Sequence, residues 1–131
     1  MVPPPPATYT SGDIEAAKTT ACAAWDRAAR STAQASKASA TALEADPNWR
    51  TPASAAALAA EKRTGIAAIS NLRNSIGPAT PQSLADPMTN WITLSINELH
   101  AMNQRDWTEA ERVQEQGNAL VDTIASECGL R

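Results

Sequence analysis

Hydrophobic residues recur every three or four positions along four stretches of the chain, which places them on one face of an α-helix. No stretch shows the sustained apolar–polar alternation of a half-buried strand. The cleanest stripe is in the last stretch and consists of Ala110, Val113, Gly117, Leu120, Val121, Ile124 and Cys128. The pattern therefore predicts an all-α protein with helices over residues 12–45, 52–76, 80–103 and 106–128.

Residues typical of helix ends separate these stretches. The expected N-caps are Thr10 or Ser11, Thr51, and Asp106 with Glu109 three residues later. Asp46-Pro47 and Gly77-Pro78 should end the first two helices, because the residue before proline avoids the helical region and glycine favours a helix C-terminus. Asp86-Pro87 repeats a cap-plus-proline signal and allows a break inside the third helix.

The predicted inner faces of the first three helices differ in side-chain size. The first is mostly small and consists of Ile14, Ala21, Cys22, Trp25, Ala28, Thr32, Ala35, Ser39, Ala42 and Leu43. The second and third are larger: Leu58, Ile66, Ile69, Leu72 and Ile76, then Leu84, Met88, Trp91, Ile92, Ser95, Ile96, Leu99 and Met102. Small residues, and Gly65 within the second helix, favour close helix contact, although they could also line a cavity.

Four helices with short connections favour an antiparallel up-down-up-down four-helix bundle. The last helix is about as long as the part of the first helix between Cys22 and Ala45, so antiparallel packing brings Cys22 level with Cys128. We therefore predict a bundle closed by one disulfide, with a longer first helix. The domains are a Pro-rich spacer over residues 1–11 and a helical bundle over 12–131.

Composition explains why a disulfide would matter. The chain has 131 residues and 43% are hydrophobic, but many are alanine, phenylalanine is absent and tyrosine occurs once, so the core should be thin. Closing so long a loop stabilises by about 4–5 kcal/mol in the chain-entropy model. A disulfide also indicates an extracytoplasmic location, in the cell envelope or secreted. The alternative is two free buried cysteines in a cytosolic protein.

The segment Pro3–Pro6 favours an extended, stiff spacer. We interpret Met1 as a start placed where an anchor or signal was removed, and the alternative is a native cytosolic start. No apolar run reaches the roughly 18 residues that a membrane span needs, so membrane contact is expected only through such an absent N-terminal anchor.

The layout resembles the extracytoplasmic domains of actinobacterial, especially mycobacterial, membrane proteins and lipoproteins rich in alanine and proline. The resemblance is carried by Pro3–Pro6, the segment from Ala16 to Trp25 around Cys22, the joint Pro78-Ala79-Thr80-Pro81 and the terminal segment from Ser126 to Leu130 around Cys128. It implies an anchor before the proline segment and a cell-envelope location. It implies no particular activity, because the function of such proteins is mostly unassigned.

The net charge and the single histidine limit the kinds of ligand and reaction that the sequence can support. The net charge is −3 and there is no basic stripe, which argues against nucleic-acid binding. His100 is the only histidine, and no carboxylate stands three or four residues from it, so we predict no catalytic residue, no metal site, no cofactor and no enzyme activity. Haem would need His100 with Met102 or a tyrosine, and two residues apart on a helix point to different sides.

A binding surface is predicted at the end of the bundle away from the cysteines, formed by Trp49, Arg50, His100, Arg105 and Trp107. The alternative is that Trp49 and Trp107 plug that end. We expect an interaction or scaffolding domain whose partner is an envelope protein or cell-wall component. The alternative function is a carrier of a small hydrophobic ligand, a lipid or haem, which an apolar interior cavity above about 300 Å3 would favour.

Overall fold

The computed structural model describes residues 8–48 and 50–130 and folds them into four α-helices: α1 (Ser11–Ala45), α2 (Pro52–Ser75), α3 (Gln82–Asn103) and α4 (Trp107–Glu127). The described residues contain no strand. The predicted helix bounds are confirmed to within two residues. None of the described helices is long and apolar enough to cross a membrane. Of the predicted spacer, residues 1–7 lie outside the described residues, and Ser11 already belongs to α1.

The helices pack as two antiparallel hairpins, α1 along α2 and α3 along α4. The hairpins meet mainly through α2 and α3, whereas α1 and α4 approach each other at few points. Cys22 and Cys128 form a disulfide that links α1 to the residue after α4, with their Cα atoms 5.5 Å apart although the two residues are 106 positions apart in the chain. The predicted bundle, its disulfide and its longer first helix are all confirmed.

Three helices begin at side-chain caps, as predicted. Thr10 Oγ1 accepts from the Asp13 amide while the Asp13 carboxylate accepts from the Thr10 amide, both at 3.0 Å. Thr51 caps α2. Asp106 accepts from the Glu109 amide at 3.1 Å, but the Glu109 carboxylate pairs with Arg112, so the capping box of α4 is only half formed.

The third helix differs from the other three at its start and from the sequence pattern in its interior. It has no side-chain cap and follows directly after Pro81. The break that Asp86-Pro87 allowed does not occur, since α3 runs through Pro87 without interruption. Proline removes one backbone hydrogen bond here, but Leu84 and Met88 on either side are almost fully buried, and their packing holds the helix together.

Two groups of buried side chains form the core, one near each end. The larger lies at the disulfide end, hereafter the clasp end, and includes Trp25, Leu72, Leu84, Met88, Trp91 and Ile124. The smaller consists of Leu58, Ala101, Met102 and Ala110, with Leu99 packed against it. It lies at the opposite end, hereafter the distal end, to which the α1–α2 and α3–α4 connections belong. In the middle of the bundle, between the two groups, α1 and α4 contribute small residues such as Ala29, Ala33 and Gly117.

Three residues predicted on inner faces are exposed instead. Ile14 is 37% exposed because it lies in the turns of α1 that precede Cys22, beyond the level at which α4 ends. Ile66 and Ile96 are 62% and 42% exposed and lie on the outer side of the α2–α3 pair. The predicted stripes on α2 and α3 were too wide, because each helix packs mainly against one neighbour and leaves one edge of its apolar face in solvent.

Candidate functional site

A cavity of about 410 Å3 occupies the middle of the bundle and is lined by all four helices. Most of its wall is apolar. The larger apolar side chains on it are Ile69, Trp91, Leu99, Met102, Val113 and Val121. Its polar groups include Ser36, Glu61 and Glu98. The cavity is larger than the 300 Å3 or so that marks the lower end of small-molecule sites.

Small residues explain why the middle of the bundle is not filled. Ala29 and Ala33 face the cavity from α1, and Gly117 faces it from α4. A Cβ atom at Gly117 would meet nothing nearer than Trp91 Cδ1, at 4.0 Å. Gly65 is different, because a Cβ there would lie 3.3 Å from Leu99 Cδ2. Gly65 therefore allows the close α2–α3 contact that its position predicted, whereas Gly117 leaves space open.

The cavity opens between α1 and α4. Among the residues that line it, Ala33 on α1 and Gln114 and Asn118 on α4 are exposed. These helices also have few close contacts along their lengths. The Cys22–Cys128 disulfide closes the same seam at the clasp end. The mouth is therefore bounded by the two helices that the disulfide ties together.

Two glutamates, Glu61 on α2 and Glu98 on α3, line the cavity, and their charges interact. Ser36 Oγ on α1 donates a hydrogen bond of 2.9 Å to Glu61 Oε1. Burial, and secondly the charge of Glu61, raise the pKa of Glu98 to about 7. No lysine, arginine or histidine is among the residues that line the cavity. Its polar side is thus acidic, and one of its two carboxyl groups exchanges a proton near neutral pH.

The structure places four of the five residues that were predicted to form a binding surface. Arg50 lies in the α1–α2 connection, and Arg105 and Trp107 lie where α3 meets α4, so these three exposed residues belong to the distal end. Trp107 is 37% exposed. His100 lines a more open hollow of about 450 Å3, together with Ile66, Ile96 and Arg73. Trp49, the fifth residue of that prediction, lies outside the described residues.

Asp46 holds the connection that carries Arg50. Its Oδ2 accepts from the Thr51 amide and from Ser54 Oγ, each at 2.7 Å. These hydrogen bonds, with the Thr51 amide contributing most, hold the pKa of Asp46 below its ordinary value. Ser54 is fully buried, so this turn is tied directly to the interior.

The positions of His100 and Met102 bear on the haem alternative. Met102 lines the cavity, whereas His100 lines the outer hollow, so the two cannot ligate one iron in the cavity. Among the described residues, no group of three histidine, cysteine, aspartate or glutamate side chains could hold a metal ion. The residues lining the hollow around His100 include no carboxylate that could orient its imidazole.

No protein-family model, no curated protein and no solved structure matches this chain. The function is therefore inferred from the geometry and chemistry of the site.

Proposed function

We propose that this chain is a non-enzymatic binding domain of the extracytoplasmic space that holds a small, largely apolar molecule inside its helical bundle. The observation that carries the proposal is the cavity of about 410 Å3 between all four helices. Its apolar walls favour burial of a ligand's hydrocarbon surface at about 25 cal/mol for each Å2 removed from water.

Gly117 supports a binding cavity over simple loose packing. Glycine inside a helix costs about 1 kcal/mol relative to alanine. Close helix contact explains such a residue at Gly65, but a Cβ at Gly117 would meet only one atom, at 4.0 Å. Gly117 thus keeps volume open at a cost to helix stability, and a ligand that uses this volume accounts for that cost.

The disulfide supports the proposed compartment. A bond between residues 106 positions apart stabilises a thin core and persists in oxidising surroundings. We extend the proposal to an envelope protein of actinobacterial type, anchored or secreted, on the strength of the proline and cysteine placement described above.

Binding of the neutral fluorescent probe N-phenyl-1-naphthylamine tests the proposal. We expect one site per chain, with the probe emission shifted to the blue. Gly117→Leu should fill the cavity and reduce probe affinity at least tenfold while the far-ultraviolet circular dichroism stays helical. Ala119→Leu is the matched control, because Ala119 is exposed on the same helix and does not line the cavity. Absence of binding to the wild type, or equal binding to a folded Gly117→Leu variant, would contradict the proposal.

The second candidate function is an interaction or scaffolding role for the distal end. This role is favoured because Arg50, Arg105 and Trp107 are all exposed at the distal end, and arginine and tryptophan are common in binding surfaces. Co-sedimentation with purified peptidoglycan tests one cell-wall partner, and Trp107→Ala should reduce the sedimented fraction if this surface binds it. Equal sedimentation of wild type and variant would exclude the distal end as the peptidoglycan-binding surface.

A further inference from the structure

We infer that the cavity takes an organic cation, namely an amine with an apolar body, whose ammonium group lies between Glu61 and Glu98 while its hydrocarbon part fills the apolar wall. This inference rests on the proposed function and specifies the class of ligand. It is carried by the cavity and by the distribution of charge on its lining, each described above.

The sign of the charge on the lining selects a cation. Glu61 on α2 and Glu98 on α3 are the ionisable residues that line the cavity, and the lining residues of α1 and α4 carry no charge. An anionic ligand such as a fatty acid would place its carboxylate in the field of both glutamates. A cation would instead offset the mutual repulsion that these two side chains experience.

Glu98 is also short of hydrogen-bond partners. Across the described residues, Glu61 accepts one hydrogen bond, from Ser36, while no side chain or amide donates to the Glu98 carboxyl group. A carboxylate has room for about four donors. An ammonium group carries up to three, so it can serve both carboxylates at once, which a neutral alcohol with its single donor cannot do.

The apolar wall excludes a bare metal ion as the natural occupant. A cation such as Ca2+ prefers six or more oxygen ligands with several carboxylates among them, whereas the lining combines only two carboxylates and some neutral polar groups with large apolar side chains that include Ile69, Leu99 and Val113. These side chains match a hydrocarbon body. Together the wall and the glutamates fit an amphipathic amine.

Three ligands of equal chain length distinguish the contribution of the head-group charge from that of the hydrocarbon chain. They are octylammonium, octan-1-ol and octanoate, each tested at pH 8 for displacement of N-phenyl-1-naphthylamine. We expect octylammonium to bind about tenfold tighter than octan-1-ol, which is the usual worth of a charge-assisted hydrogen bond, and octanoate to bind weakest. Glu98→Gln should abolish most of the preference for octylammonium over octan-1-ol and leave the affinity for octan-1-ol nearly unchanged. Glu61→Gln should also reduce that preference.

Glu115→Gln is the matched control, because Glu115 is exposed on α4 and does not line the cavity. It should keep the full preference for the amine. Equal affinity for octylammonium and octan-1-ol, a preference for octanoate, or an unchanged preference in both cavity variants would overturn the inference while leaving the proposed function standing. Failure of the wild type to bind the fluorescent probe at all would instead contradict the proposed function.

Discussion

At the scale of single residues, Glu98 has the most unusual environment among the described carboxylates. It is half-buried on a mostly apolar wall, and the other ionisable residue on that wall, Glu61, has the same charge. Both effects favour the protonated form. The side chain therefore costs stability when ionised, and such a cost is retained most readily at a site where a positive ligand relieves it.

We predict that Glu98 makes the protein less stable as the pH rises. In the unfolded chain Glu98 loses its proton near its ordinary pKa of 4.5, whereas the folded protein retains it until about 7. The folded state thus binds more protons in this range, and its free energy of unfolding falls as the pH rises from 4.5 to 7. Glu98→Gln should be more stable than wild type by about 1–2 kcal/mol at pH 8, allowing for partial exposure, and nearly equal to it at pH 4.

Urea unfolding monitored by tryptophan fluorescence between pH 4 and 8 measures this difference. Comparison of variant with wild type at each pH removes the opposite contribution of Asp46, whose lowered pKa makes stability fall in acid. Glu115→Gln should show no such pH-dependent difference. A Glu98→Gln effect of equal size at every pH would contradict the burial of Glu98 in the folded protein.

At the scale of helices, two glycines in comparable positions have different surroundings. Gly65 lies against the Leu99 side chain, whereas Gly117 borders open volume. Gly117→Ala should stabilise the protein by about 0.5–1 kcal/mol, because it gains helix propensity without a clash. Gly65→Ala should gain less or lose stability, because its Cβ would force Leu99 to move. Thermal unfolding of both variants checks this order, and a larger gain at Gly65 would show that the helix spacing described above is wrong.

The helices also show which features local sequence predicts. Caps such as Thr51 and Asp106 act within one turn, so the helix bounds could be predicted from them. The outward position of Ile66 and Ile96 could not be predicted, since it depends on which neighbours each helix has.

The position of Glu98 at the cavity could have been predicted from the sequence. Glu98 stands three residues after Ser95 and four before Met102, which places it on the predicted inner face of the third helix. The small residues left a cavity as one alternative to close helix packing, but periodicity gives the direction of side chains and not the volume between them, so the sequence could not decide between the two.

At the scale of the whole molecule, the disulfide joins the two helices that otherwise make few close contacts. It closes the α1–α4 seam at the clasp end, and the mouth of the cavity lies farther along the same seam. The two hairpins are thus held together by α2–α3 packing on one side and by a covalent bond on the other. Loss of the bond should loosen the bundle where the ligand enters.

We predict that Cys22→Ser combined with Cys128→Ser lowers the free energy of unfolding by up to about 4–5 kcal/mol and weakens probe binding. Wild-type protein that has been reduced and alkylated should behave in the same way. This comparison distinguishes the effect of losing the bond from any effect of the serine substitutions. Denaturant unfolding measures the loss of stability and titration with the fluorescent probe measures the loss of binding, while intact mass before and after reduction verifies the state of the bond. Thiol labelling of both cysteines in the untreated protein would contradict the disulfide and the compartment inferred from it.

If the bundle interior is a ligand site, a crystal structure with a bound ligand should show the ligand there. Crystals of the protein grown with 8-bromooctan-1-amine would place the bromine by its anomalous scattering. We expect one bromine inside the cavity, within van der Waals distance of apolar side chains such as Ile69, Leu99 or Val113, with the amine directed to the two glutamates. A cavity filled by protein side chains, or bromine found only on the outer surface, would contradict it.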